Sequence, residues 1–178
     1  MKYELFSLSE IIANIGEESA SDILSRFVCS KDHDREVYLH RNAIMMEKKA
    51  MSRTYIAIAD NDRIVGYFSV GMKCMSVPDD ILISNSLRKR LNVNSETGIA
   101  QMYLLGQLAR SDDSESGIGE RLLSDALDVI HRAFVAVGCR AVRVDCTDDL
   151  VDYYVRHGFT FINRNGDDDL NRLVIILD

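Results

Sequence analysis

Apolar residues switch between a helical and an extended period along this chain, and the switches mark its elements. Leu5 to Ile15 fits a short strand or a short helix, a choice the pattern leaves open, and Ala20 to Phe27 fits a short helix. From Asp32 the stripe Val37, Leu39, Ala43, Ile44, Met45 and Met46 predicts a helix ending near Ala50, with Asp32 or Asp34 available to cap its start. Thr54 to Ala59 and Ile64 to Met75 are rich in β-branched and aromatic residues and flank the turn chemistry of Asp60-Asn61-Asp62, which predicts an antiparallel hairpin. The only proline, Pro78, ends that hairpin, since it has no N–H for a ladder. Asp79 to Asn94 reads as a helical excursion through Ile81 to Leu91, followed by a flexible connection from Asn94 to Gly98.

The second half alternates more regularly. It reads as a strand to Arg110, a helix over 117–137, strand Ala141–Cys146, a helix from about Asp149 to His157, and strands Phe159–Asn163 and Leu173–Leu177. In the long helix Leu122, Leu123, Ala126, Leu127, Ile130, Ala133, Phe134 and Val137 form one apolar face, and Gly138 suits the position just past its end. A helix between two apolar strands is a crossover, so the strands ending at Arg110 and Cys146 are expected to pair in parallel. Asp167-Asp168-Asp169 marks a solvated turn.

Ser116-Gly117-Ile118-Gly119-Glu120 stands where the apolar strand Tyr103–Arg110 gives way to the long helix. The first N–H groups of a helix have no intrahelical acceptor and carry the positive end of its dipole, so a phosphate can bind there without basic side chains. Gly117 and Gly119 permit close approach.

At 178 residues the chain has the size of a single domain, and one domain over 1–178 is expected. The balance of 47% apolar and 28% charged residues is that of a soluble globular protein, with no apolar run near the roughly 20 residues that cross a bilayer. Met1-Lys2-Tyr3-Glu4 begins no signal-peptide pattern, so a cytoplasmic protein without membrane partners is expected. Cys29, Cys74, Cys139 and Cys146 form no paired motif and read as buried free thiols, with no metal site implied. A net charge of −7 argues against a broad nucleic-acid footprint. Arg88-Lys89-Arg90 reads as a solvated helix face, or alternatively as a contact to an acidic ligand or cofactor phosphate.

Taken in order, Gly66-Tyr67-Phe68, Gln107-Leu108-Ala109, Gly117-Ile118-Gly119 and Tyr153-Tyr154-Val155-Arg156-His157-Gly158-Phe159 resemble the GNAT superfamily of acyl-CoA N-acyltransferases over roughly Phe27 to Leu177. Phe27-Val28-Cys29 and Ser52-Arg53-Thr54-Tyr55 are similar to a bacterial branch that includes tRNA-acetylating toxins. The resemblance implies an α/β fold: one domain with a mixed sheet of about six to seven strands, flanked by helices and splayed between its parallel strands at the cofactor site. Ser114 departs from the Gln or Arg usual in the family's loop, which weakens one cofactor contact and leaves the backbone cradle.

The same resemblance implies acetyl-CoA as co-substrate. Its pyrophosphate would lie on the amides of Ser116, Gly117, Ile118, Gly119 and Glu120, and its pantetheine arm along Leu108, Ala109 and Arg110, pairing as an added strand does. An N–H near Leu108 or Ala109 would face the developing oxyanion. Tyr154 falls where the family carries its general acid, which protonates the departing thiolate. No base stands out: Glu96, Glu115 and His40 are candidates beside a bound water, Asp145 and Asp148 read as strand-end or capping groups, and His157 as a favourable charge at a helix C-terminus.

The leading expectation is an N-acetyltransferase acting on a primary amine of a small molecule or protein, with the acidic surface suited to a cationic acceptor. A toxin-type enzyme acting on aminoacyl-tRNA is the sharper alternative, disfavoured by a chain whose clustered cations are Arg88-Lys89-Arg90 and Lys48-Lys49. The third is a non-catalytic member that binds acyl-CoA or a partner protein. A homodimer stays open.

Overall fold

Extended backbone with alternating side chains forms seven strands: β1 (Tyr3–Ser7), β2 (Ser52–Ala59), β3 (Ile64–Ser76), β4 (Ile99–Arg110), β5 (Ala141–Cys146), β6 (Thr160–Arg164) and β7 (Asn171–Ile176). In the computed structural model, which describes residues 2–60, 62–77, 81–164 and 168–178, they make one mixed sheet in the order β1-β2-β3-β4-β5-β7-β6. The predicted hairpin is β2 and β3, antiparallel from Ser52↔Gly71 to Ile58↔Ile64. The predicted parallel pair is β4 and β5, with Tyr103↔Val142, Leu104↔Arg143 and Leu105↔Val144 in register.

The helices are α1 (Leu8–Ile15), α2 (Glu17–Leu24), α3 (His33–Val37), α4 (Ala43–Lys48), α5 (Asn85–Arg90), α6 (Ile118–Val137) and α7 (Asp148–Arg156). Both options for Leu5 to Ile15 are realised, because Ser7 and Glu10 form a reciprocal capping box that converts the end of β1 into the start of α1. Asp32 caps α3 by accepting from the Arg35 N–H. The helix expected from Asp32 to Ala50 is interrupted by a π-helical segment, Tyr38–Asn42, in which the Ala43 N–H reaches the Tyr38 carbonyl; Leu39 and Ala43 are both buried.

Other expectations are corrected. The helix expected through Ile81 to Leu91 is only Asn85–Arg90, since Ser84 caps it late by accepting from the Leu87 N–H. The Asn94–Gly98 connection is an ordered turn, with Asn94 Oδ1 accepting from the N–H groups of Glu96 and Thr97. Val137 leaves the apolar face of α6 and is 78% exposed. Gly138 does stop that helix, at φ +87° with its N–H on the Phe134 carbonyl. Cys29 and Cys146 are buried, whereas Cys74 is exposed and Cys139 half-buried, and none of the four is in a disulfide. Met1, Asn61, Pro78, Asp79 and Asp167 lie outside the described residues. No helix among those described is long and apolar enough to cross a membrane.

The chain divides into two compact units. In the first, Met1–Gly71 with Gly106–Asp128, the core gathers Leu8, Leu24, Phe27, Leu39, Ile56 and Tyr67. In the second, Met72–Leu105 with Val129–Asp178, it gathers Met75, Val77, Leu91, Met102, Ile162 and Val174.

Candidate functional site

The glycine loop is fixed before the helix begins. Buried Ser111 donates its N–H to the Val65 carbonyl at 2.9 Å, and Asp112 donates its own to the Val28 carbonyl at 3.0 Å. In return the Asp112 carboxylate accepts from the Ser30 N–H at 3.0 and 3.2 Å, and hydrogen bonds from Ser30 hold this carboxyl below the usual aspartate range. Ser114 then tightens the bend, its hydroxyl donating to the Ser111 carbonyl at 2.6 Å while accepting from Arg110 Nη1 at 3.2 Å. Ser114 therefore serves as an internal staple of the bend. The Ser30–Asp112 lock was not legible beforehand, because its partners lie far apart in sequence.

Beyond the bend, Ser116 and Gly117 are exposed. Gly117 sits at φ +85°, and a Cβ there would meet no atom within 4 Å. Ile118, 2% exposed, anchors the first turn of α6 in the core, and the Arg121 N–H closes that turn on the Gly117 carbonyl at 3.2 Å. The Ile118 N–H makes only a long 3.4 Å bond to Glu115, and those of Gly119 and Glu120 lie where a helix offers no acceptor. The loop thus presents a set of amides at the positive end of a 20-residue helix. Upstream, Leu108 and Arg110 are half-buried and Ala109 buried on β4.

Tyr154 lies in α7 and is 3% exposed. Its helix ends in a Schellman motif: the Phe159 N–H reaches the Tyr154 carbonyl at 3.1 Å, and that of Gly158, at φ +89°, reaches the Val155 carbonyl at 3.0 Å. The apolar contact that accompanies such a motif is Phe159 edge-on against Tyr154, with centroids 5.4 Å apart. Tyr153 packs against the other side at 5.2 Å. The Tyr-Tyr-x-x-x-Gly-Phe run is therefore also a device that fixes the Tyr154 ring.

The remaining candidates separate. His40 stands in the π-helical segment and donates from Nε2 to the Phe27 carbonyl at 2.9 Å, while Glu96 and Glu115 are exposed. His157 donates from Nδ1 to the Tyr153 carbonyl at 2.7 Å, so it closes its own helix. Asp148 lies in the first turn of α7 and accepts from Asn171 at 2.6 Å. Asp145 is not a capping group: both its oxygens accept from buried Arg143 at 2.6 Å. Arg88 donates to the Val77 carbonyl and Arg90 to Asp178, which ties part of the basic cluster down. Among the described residues no group of three or more His, Cys, Asp or Glu is placed to hold a metal ion.

No family model and no curated protein matches the chain. Solved structures match it in fold. A tyrosine-to-phenylalanine mutant of KacT superposes with a TM-score of 0.76 at 19% identity, covering 99% of this chain and 95% of that one. AtaT complexed with acetyl-methionyl-tRNAfMet gives 0.75 at 20%, covering 98% and 95%. AtaTR bound with acetyl-CoA gives 0.67 at 18%, covering 98% and 92%.

Proposed function

We propose that residues 1–178 form one N-acetyltransferase domain that moves the acetyl group of acetyl-CoA to a primary amine. The observation that carries this reading is the glycine loop, in which exposed Gly117, at φ +85° with no atom within 4 Å of a Cβ, leads into the first turn of α6 and its amides without intrahelical acceptors. The amides of Ser116, Gly117, Ile118, Gly119 and Glu120 would hold the diphosphate, and the extended backbone of Leu108, Ala109 and Arg110 would pair with the pantetheine arm. Acetyl-CoA supplies a thioester carbonyl carbon for the amine to attack.

Around that carbon the protein has two tasks. An N–H near Leu108 or Ala109 stabilises charge on the carbonyl oxygen as the new C–N bond forms. Tyr154 then gives its phenolic proton to the thiolate as the C–S bond breaks, and the proton shed by the amine returns the tyrosine to its starting state through water. Exposed Glu96 and Glu115 remain candidates for that last transfer, whereas His40 is occupied by the Phe27 carbonyl.

A second reading places the accepting amine on an aminoacyl-tRNA. It is favoured by the match, over 98% of this chain, to AtaT complexed with acetyl-methionyl-tRNAfMet. A thiol-release assay of the whole chain with acetyl-CoA, run against small amines, peptides and aminoacyl-tRNA, tests both readings. The expected result is acceptor-dependent release of CoA thiol, largest with aminoacyl-tRNA. Binding of CoA with no release across the whole panel would replace the enzyme with a non-catalytic acyl-CoA binder.

A further inference from the structure

One polar row in the second unit has no part in the chemistry described so far. Asp145 on β5 is in register with Arg172 on β7, and Arg172 with Asn163 on β6. Cross-strand partners share a face, and so do residues two apart on one strand, which puts Arg143 on the same side. Arg143 is 2% exposed and holds both oxygens of Asp145 at 2.6 Å. Lys73, whose side chain is 47% exposed, brings its Nζ to 3.7 Å from Asp145 Oδ2. Two cations thus contact one carboxylate, which the bidentate arginine already occupies, and a third, Arg172, stands beside it in register. In a chain of net charge −7 this is a local excess of positive charge.

The row also holds unmet hydrogen-bonding capacity. Among the described residues, Arg172 Nε and Asn163 Oδ1 are buried side-chain atoms with no hydrogen-bond partner. A buried donor and a buried acceptor on neighbouring strands are costly unless something satisfies them, and they call for opposite chemistry. An oxyanion accepts from the arginine, and a hydroxyl or amide N–H on the same molecule donates to the asparagine. Asp145 follows directly on Val144, which is in parallel register with Leu105 of β4.

We infer that Lys73, Arg172 and Asn163 form an acceptor subsite for an oxyanion with an adjoining hydrogen-bond donor, built on the rigid Arg143–Asp145 pair. The inference rests on the N-acetyltransferase reading and reverses the expectation that an acidic surface selects a cationic acceptor. Carboxylate of a free amino acid and phosphate of a nucleic acid share the chemistry required, and the acceptors tested separate them.

The test compares acetylation of an amino acid, its uncharged amide and an aminoacyl-tRNA by the wild type and by Lys73→Gln, Lys73→Arg and Arg172→Gln. For the oxyanion-bearing acceptor the two glutamine variants are expected to raise KM about tenfold, with kcat, CoA affinity and use of the amide within twofold of wild type. Lys73→Arg is expected to restore KM. If the acceptor is the RNA, each lost cation also flattens the dependence of log KM on log salt by about one. Half-exposed Lys73 tolerates substitution, so its variant decides the matter even where Arg172→Gln fails to fold. Equal effects on acid and amide, or no effect on either, would overturn the subsite and leave the enzyme reading standing. A wild type that acetylates none of the three would sink both.

Discussion

Tyr154→Phe is expected to lower kcat by about 10²–10⁴, the range that a positioned general acid contributes. The substitution is confined to one oxygen. The ring, 3% exposed and held by Phe159 and Tyr153 at 5.4 and 5.2 Å, keeps its packing as phenylalanine, and the backbone bonds of the Schellman motif do not involve the phenol. Affinity for CoA should therefore stay within twofold and the melting temperature within a few degrees. Steady-state kinetics beside calorimetry separates the two effects. Undiminished turnover would remove Tyr154 from the chemistry, and loss of CoA binding together with turnover would make it a structural residue only.

Gly66→Ala is expected to cost about 1–3 kcal/mol, as overpacking in a filled core does. A Cβ on Gly66 would lie 2.4 Å from Leu122 Cδ1 and 2.7 Å from the Ala109 carbonyl oxygen. The leucine tip can turn aside. The carbonyl is backbone, so β4 has to shift at the residue assigned to the pantetheine arm. At about 2–4 °C per kcal/mol for a chain of this size, the melting temperature should fall by roughly 2–12 °C. CoA affinity should fall with it, because strand and binding edge are the same atoms. Thermal denaturation and calorimetry on one sample check this, and unchanged affinity in a destabilised variant would detach the edge of β4 from the donor.

Most of the sheet was legible because its signals are local. β-Branched and aromatic runs about the Asp60-Asn61-Asp62 turn signal gave the β2–β3 hairpin, and the 3.6-residue stripe of α6 between two apolar strands gave the parallel pair. Where the outcome differed, a side chain outvoted periodicity. The capping box of Ser7 and Glu10 starts α1 within a stretch that also fits a strand, and a single hydroxyl, that of Ser84, delays α5. The π-helical segment could not be foreseen, since an extra residue in a turn changes which side chains face inward without changing composition.

The candidate site divides along the same line. The glycine loop was legible because backbone freedom leaves a mark in sequence, at Gly117, whereas Tyr154 was singled out only by the resemblance of its Tyr-Tyr-x-x-x-Gly-Phe run. The Ser30–Asp112 lock and the row from Lys73 to Asn163 were not visible, because each joins residues that only the folded chain brings together. Asp145, readable as a capping group from its place at a strand end, proved to be the partner of a buried arginine.

Amides near the start of α6 are proposed to hold the diphosphate of CoA. Amide chemical shifts of the nitrogen-15-labelled chain, followed as CoA is added, address that claim residue by residue. The predicted result is saturable movement greatest at Gly117, Ile118, Gly119 and Glu120, with smaller changes along Leu108 to Arg110. Binding that leaves those four amides in place and moves others would contradict it.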